Sequence, residues 1–348
     1  MQSFRRWMLV VLAIFSFHLA GCNRSTNEGA ANTSGASGAS GNAASGAQSQ
    51  LKVALLTSGD INDQGWNQLG YESLQAIEKE LGAQISHQVA KNVSDQQPAL
   101  RDYGEEKFDL VICHGFEYGE RVKALATKYP DTKFVVVAGN VKQEPNVATL
   151  VPKLEEATYL LGMLAGGMTK SNVIGVIGGM RLPVIKSTFD AFESGAKSVN
   201  PKARVLTNYV GNFEDQNAAK EASRAMISQR ADVLFHNADQ AGKGMFNAAQ
   251  EAKGVLVFGS NRNQNNVAPG VCLASAVIEL PRAFVQLARD VQENRFKAEF
   301  RELNLPKGTI AVEWNTALKS KVPPALLQKV NDAEKKIKGG GLKIKRNV

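Results

Sequence analysis

The chain has 348 residues, 43% of them hydrophobic, and a formal net charge of +8. That length and apolar content suit two ordinary domains with cores of their own. Its three cysteines and four histidines form no cluster with zinc spacing, and a basic cluster between Lys335 and Arg346 is the sole hint of nucleic-acid affinity.

The first segment argues against that hint. Arg5 and Arg6 form a basic start, Met8 to Phe17 is an apolar run, and Leu19-Ala20-Gly21-Cys22 comes next. This is the pattern of a secretory signal peptide, residues 1–21, too short for a spanning helix. Leu-Ala-Gly-Cys resembles the lipobox of bacterial lipoproteins, which implies cleavage before Cys22 and a lipid, palmitate included, on that residue. Loss of Arg5 and Arg6 takes the charge from +8 to +6 (8 minus 2). The basic cluster is then read as solvated surface on an exported protein. Residues 22–50, built of Ser, Gly, Ala, Asn and Thr, read as a disordered tether. Lipid and tether together place a folded body close to a membrane, on its periplasmic or extracellular face.

Leu51 to Gly82 organises the rest of the chain. Val53-Ala54-Leu55-Leu56 is a short buried-strand run, and Thr57 to Gly65 is a loop of turn-forming residues. Trp66, Gly70, Leu74, Ile77 and Leu81 then recur at helical spacing. In an open parallel sheet such a loop lies where ligands bind. It gathers Asp60, Asn62, Asp63 and Asn67 around Trp66. An aromatic to stack on, with donors and acceptors beside it, suits a flat polar ligand. The alternative is plain architecture, with Asp63 capping the helix and Trp66 in the core.

The alternation continues. Strands are expected near Ile85, Leu110 to Cys113, Phe134 to Val137 and Val147 to Leu150, with helices near Pro98 to Glu105 and Tyr118 to Lys128. Glu155 to Met168 is a packed helix, after which the pattern restarts. Further strands lie near Val173 to Ile177, Val205 to Val210, Val233 to Phe235, Val255 to Phe258 and Leu273 to Val277. Helices lie near Val184 to Val199, Asn217 to Gln229, Lys243 to Lys253, Arg282 to Val291 and Pro324 to Ile337. Continuous apolar runs suit parallel strands covered on both faces. The expected architecture is α/β with two lobes, each a doubly wound, mostly parallel sheet. The first lobe is expected over 51–150 plus 262–296, the second over 151–261 plus 297–348. A cleft between them is the natural site, and hinge closure the natural motion.

No catalytic constellation emerges. The spacing at Gly175 to Gly179 and at Gly242-Lys243-Gly244 fits no nucleotide-binding loop, and no nucleophile elbow is present. His114 and His236 end apolar strands, where each either contacts a ligand or satisfies a strand end. Cys113 and Cys272 are two buried thiols or one disulfide. No cofactor or metal is implied.

From Leu51 to about residue 300, with a fainter echo near Lys336 to Ile344, the chain resembles the basic membrane protein family. Asp63-Gln64-Gly65-Trp66-Asn67 looks like its Asp-x-Ser-Phe-Asn loop, and His114-Gly115-Phe116 like its Gly-x-Gly-Phe turn. The runs Glu155 to Gly162, Ile177 to Met180, Tyr209 to Asp215 and Gly242 to Gly244 match in order and spacing. The resemblance implies a type I periplasmic-binding fold and a purine-nucleoside-binding lipoprotein, a monomer that hands its ligand to an ABC permease and catalyses nothing. It implies that Trp66 replaces a stacking Phe and that Gly242 and Asn261 join the site. Phe116, Phe213 and His236 are candidates for the opposite face. Asp239, which stands where the family tends to have Gly, is expected to read the ligand's polar edge with Asp63 and Asn67. Two departures stand out. Asn261 occupies the place of an Asp that holds ribose hydroxyls, and Ile278 that of a Lys. A diol clamp built on charge is missing, so a free purine base is expected rather than a nucleoside. The alternatives are another flat heterocycle such as a flavin, a sugar, an exported nucleoside-processing enzyme, or a receptor that feeds a signalling partner.

Overall fold

The computed structural model describes residues 50–347; the signal peptide, Cys22 and nearly all of the tether lie outside them. In chain order the elements are β1 (Lys52–Thr57), α1 (Trp66–Leu81), β2 (Gln84–Val89), α2 (Val93–Glu105), β3 (Leu110–His114), α3 (Gly119–Ala126), β4 (Lys133–Val137) and β5 (Val147–Pro152). Then come α4 (Leu154–Met168), β6 (Val173–Gly178), α5 (Pro183–Val199), β7 (Arg204–Tyr209), α6 (Gln216–Ser228), β8 (Val233–Asn237), α7 (Gly242–Glu251) and β9 (Leu256–Asn261). The last are β10 (Cys272–Ile278), α8 (Leu280–Gln292), β11 (Phe300–Leu303), β12 (Ile310–Trp314), α9 (Thr316–Lys319) and α10 (Pro324–Lys338).

These strands form two six-stranded sheets, ordered β11-β5-β4-β3-β1-β2 and β12-β10-β9-β8-β6-β7. All pairings are parallel except that of β10 with β12. Central strands such as β3 and β6 are buried along their whole length, the reason their sequences are unbroken apolar runs. The edge strands β2 and β7 are mixed. α4 packs on α5 at very close range. A methyl group on Gly162 would sit 2.0 Å from the carbonyl oxygen of Phe192, and one on Gly195 2.0 Å from that of Tyr159. Any larger residue at either position pushes the helices apart.

The chain crosses between the sheets three times. It crosses after β5 into α4, after β10 into α8, which lies on α1, and between β11 and β12. This corrects the expected segment boundaries. The stretch 262–296 does not belong to the first lobe as a unit, because β10 pairs with β9 from Cys272↔Val257 to Val277↔Asn261 in the second sheet. The crossing comes after that strand, at Glu279, and only α8 belongs to the first lobe. Conversely, β11 pairs with β5 and completes the first sheet, outside the expected segment. One local expectation also changes, and one left open is decided. Helix α2 starts at Val93, where Asn92 caps it by accepting from the amide of Asp95, and Pro98 lies inside it. Cys113 and Cys272 are free, buried thiols on different sheets.

Candidate functional site

Between the facing carboxyl ends of the strands lies a cavity of about 590 Å³, within the usual range for small-ligand sites. One end is built from the loop that enters α1. Asp63 is buried, and its carboxylate accepts four hydrogen bonds. Oδ1 takes the amides of Gly65 (2.8 Å) and Gln68 (3.0 Å); Oδ2 takes the amide and side-chain NH₂ of Asn67 (both 2.9 Å). Both oxygens are thereby committed to the first turn of α1, whose free amides and partial positive charge favour an anion. Asp63 is the cap of the architectural reading, and its acceptor capacity is spent. Asn67 turns its NH₂ to Asp63, so its buried Oδ1 remains without a partner, and the residue lines the cavity.

Trp66, first residue of α1, lines the cavity. Its indole stacks on the His114 imidazole, centroids 3.9 Å apart and planes 15° from parallel. Backbone bonds lock the pair: Trp66 Nε1 donates to the His114 carbonyl (3.3 Å), and His114 Nε2 lies 2.8 Å from the Trp66 carbonyl. A carbonyl only accepts, so Nε2 carries the proton. Burial lowers the His114 pKa to about 3 and keeps the ring neutral. Gly70 leaves the space this requires, since a methyl group there would lie 2.7 Å from the ring.

The second lobe reaches the same helix end. Asp239 lies just beyond β8, and its Oδ1 accepts from the Trp66 amide and from Asn261 Nδ2, each at 3.2 Å. Burial first, and the nearby Asp63 carboxylate second, push the Asp239 pKa up to about 7. Three residues in the cavity wall hold left-handed backbone without being glycine: Ala138 (φ 61°), Asp239 (φ 46°) and Asn261 (φ 67°). Asp and Asn tolerate this region, and such strain concentrates at functional positions. Phe116 and Phe213 also line the cavity, one from each lobe. At the edge of the cleft Lys91 and Glu214 bridge the lobes at 3.0 Å.

Eight of the twelve side chains picked out by sequence therefore share this wall: Asp60, Asp63, Trp66, Asn67, Phe116, Phe213, Asp239 and Asn261. Four do not. Asn62 is exposed and bonds Asp60. His114 backs Trp66 from beneath. His236 is fully buried against Gln264 Oε1 (2.9 Å), and burial lowers its pKa to about 4. Gly242 serves His236, because a methyl group there would lie 2.1 Å from its Nδ1.

The other end of the cavity, where β5 and β10 leave their sheets, holds Pro152, Leu154, Glu155, Ile278 and Arg346. Ile278 presents hydrocarbon, as the sequence implies. Arg346 is the exception to the reading of the basic cluster as solvated surface: its side chain is only 13% exposed, while Lys335, Lys336, Lys338, Lys343 and Lys345 are exposed. Thr188, Asn237 and Glu117 add to the polar lining, and burial raises the Glu117 pKa. No spacing in the sequence marks these residues as a group. Among the described residues, no cluster of His, Cys, Asp and Glu suits a metal ion, and no helix is long and apolar enough to cross a membrane.

Comparison with known proteins places this geometry. The family model for Bmp, "ABC transporter substrate-binding protein PnrA-like", matches residues 50–347. A Lactococcus lactis protein named an ABC transporter nucleoside-binding protein is 31% identical over 241 residues, 66% of this chain and 68% of its own. A purine-binding protein of Brucella abortus is 25% identical over 301 residues, 85% of this chain and 83% of its own. A solute-binding protein of an ABC transporter system from Aeropyrum pernix K1 superposes with a TM-score of 0.78 at 20% identity, covering 85% of this chain and 93% of that one. That last likeness speaks to the two-lobed fold alone.

Proposed function

The chain belongs to the Bmp family of PnrA-like ABC transporter substrate-binding proteins, and from that premise we propose that it captures a purine base or purine riboside in the cleft and delivers it to an ABC permease. Anchored through a lipid on Cys22, it works as a receptor and turns over nothing.

One observation carries the ligand class. Trp66 lines the cavity while His114 covers its far face, so an aromatic surface is held rigid with one side left for a flat ring. A ring stacked there meets the spare Oδ1 of Asn67 and the carboxylate of Asp239. Both suit the N–H groups on the edge of a purine. The names of the Lactococcus and Brucella relatives agree with that class.

The test is mass spectrometry of the protein as purified, then calorimetric titration with adenine, guanine, hypoxanthine and their ribosides. Micromolar or tighter binding of at least one, at one site per chain and without chemical change, is expected. Absence of binding by all six, or their conversion to product, contradicts the proposal.

A further inference from the structure

The cavity is longer than the aromatic end needs. Trp66 lies beyond β1 and Pro152 ends β5. In the first sheet these strands are three spacings apart, about 14 Å at the usual strand separation. A bicyclic ring against Trp66 leaves the hinge end unfilled.

That end is not simply apolar. The segment after α10 returns to the cleft, held to α5 by Asn347, whose amide donates to Ser187 Oγ (3.1 Å) and whose side chain donates to Asp190 Oδ2 (2.9 Å). It delivers Arg346 into the cavity wall. Arg346 Nη1 donates to the Pro152 carbonyl at 2.6 Å and lies 3.7 Å from Glu155 Oε1, too far for a hydrogen bond. Its other N–H groups make no hydrogen bond among the described residues. Glu155, the second residue of α4, is 3% exposed, and its Oε1 is buried without a partner. A carboxylate short of a donor and a guanidinium with donors to spare stand side by side in the wall.

We propose that Glu155 and Arg346 form a hydroxyl-reading subsite that takes a hydroxylated substituent of the ring held at Trp66. A hydroxyl both donates and accepts. It gives its proton to Glu155 and receives an N–H from Arg346, and vicinal hydroxyls engage both partners at once. A bare base does neither from the Trp66 end. The pair is close to neutral in sum, which suits an uncharged polyol better than a phosphate or carboxylate in a cavity already lined by Asp60, Glu117 and Asp239. This reverses the free-base preference that Asn261 and Ile278 suggest, because a clamp is supplied from residues 191 positions apart (346 minus 155). The inference rests on the purine reading of the Trp66 end.

Calorimetric titration of the full chain with adenine, adenosine and 2′,3′-dideoxyadenosine tests it. Adenosine is expected to bind at least tenfold tighter than adenine, and dideoxyadenosine to lose most of that advantage. In Arg346→Gln and Glu155→Gln the advantage of adenosine over adenine is expected to fall below threefold, with Arg346→Lys between. Arg346→Gln lies outside any helix or strand, so it keeps the test decisive if the buried Glu155→Gln fails to fold. Adenine binding as tightly as adenosine, or an adenosine advantage that survives in Arg346→Gln, overturns the inference and leaves the purine reading standing. Absence of any purine binding overturns both. A riboflavin titration run alongside distinguishes a ribityl from a ribosyl source of the hydroxyls.

Discussion

The two ends of the cavity are built differently. At the Trp66 end the polar groups are mostly committed to one another: Asp63 caps α1, His114 braces Trp66, and Asp239 arrives from the second lobe to close the helix end, with Asn67 Oδ1 left over among them. At the hinge end they come from distant segments, and hydrogen-bonding capacity is left over at Glu155 and Arg346. One end holds a shape and the other keeps groups in reserve. Substitutions at the first should therefore act on folding as well as affinity, and those at the second on selectivity.

The largest effect is expected from Asp63→Ala. It strands buried amides at the start of α1, and the stability loss should be about 3 kcal/mol by urea unfolding. A loss well under 1 kcal/mol would mean that the cap is dispensable and the two ends are alike. A pH effect comes next. The Asp239 pKa is raised in the folded protein to about 7, above its unfolded value. Its deprotonation therefore opposes folding, so stability falls as pH rises from about 4 to about 7. His114 and His236, with lowered values, act in the opposite sense, losing stability as pH falls below their unfolded range. The difference between Asp239→Asn and the unaltered chain isolates the aspartate. That difference should grow in favour of the variant across this window, at up to about 1.4 kcal/mol per pH unit. A difference that stays flat would place Asp239 in ordinary solvent. Trp66→Ala should weaken ligand binding at least tenfold, about 1.4 kcal/mol, and an unchanged dissociation constant would assign Trp66 to the core alone. Smallest is Lys91→Ala at the cleft edge. Both partners of its bridge to Glu214 are more than half exposed, so a change of under about 1 kcal/mol in affinity, fading with salt, is expected.

The same contrast explains which parts of the site were legible in the sequence. Asp63, Trp66 and Asn67 fall within five residues of one strand-loop-helix, so their meeting is a consequence of local structure. The parallel sheets are announced by unbroken apolar runs such as Phe134 to Val137. His114 looked like a ligand contact because it ends a strand at the cleft, yet the ring lies beneath Trp66, a placement decided by the gap at Gly70. Strand β11 has an alternating, half-exposed pattern that its burial explains only once β5 stands beside it. Arg346 sat in a run of lysines, where periodicity reads solvent. Its entry into the cleft depends on Asn347 meeting α5, a contact between residues about 160 positions apart.

The central claim is that a purine ring rests on Trp66. Fluorescence tests it most directly, because a stacked ring quenches indole emission and the described chain holds only Trp66 and Trp314, the latter in β12 at the far edge of the second sheet. Titration with the tightest purine ligand should give saturable quenching that tracks the calorimetric isotherm, persists in Trp314→Phe and disappears in Trp66→Phe. Binding heat with unchanged Trp66 emission would contradict the account.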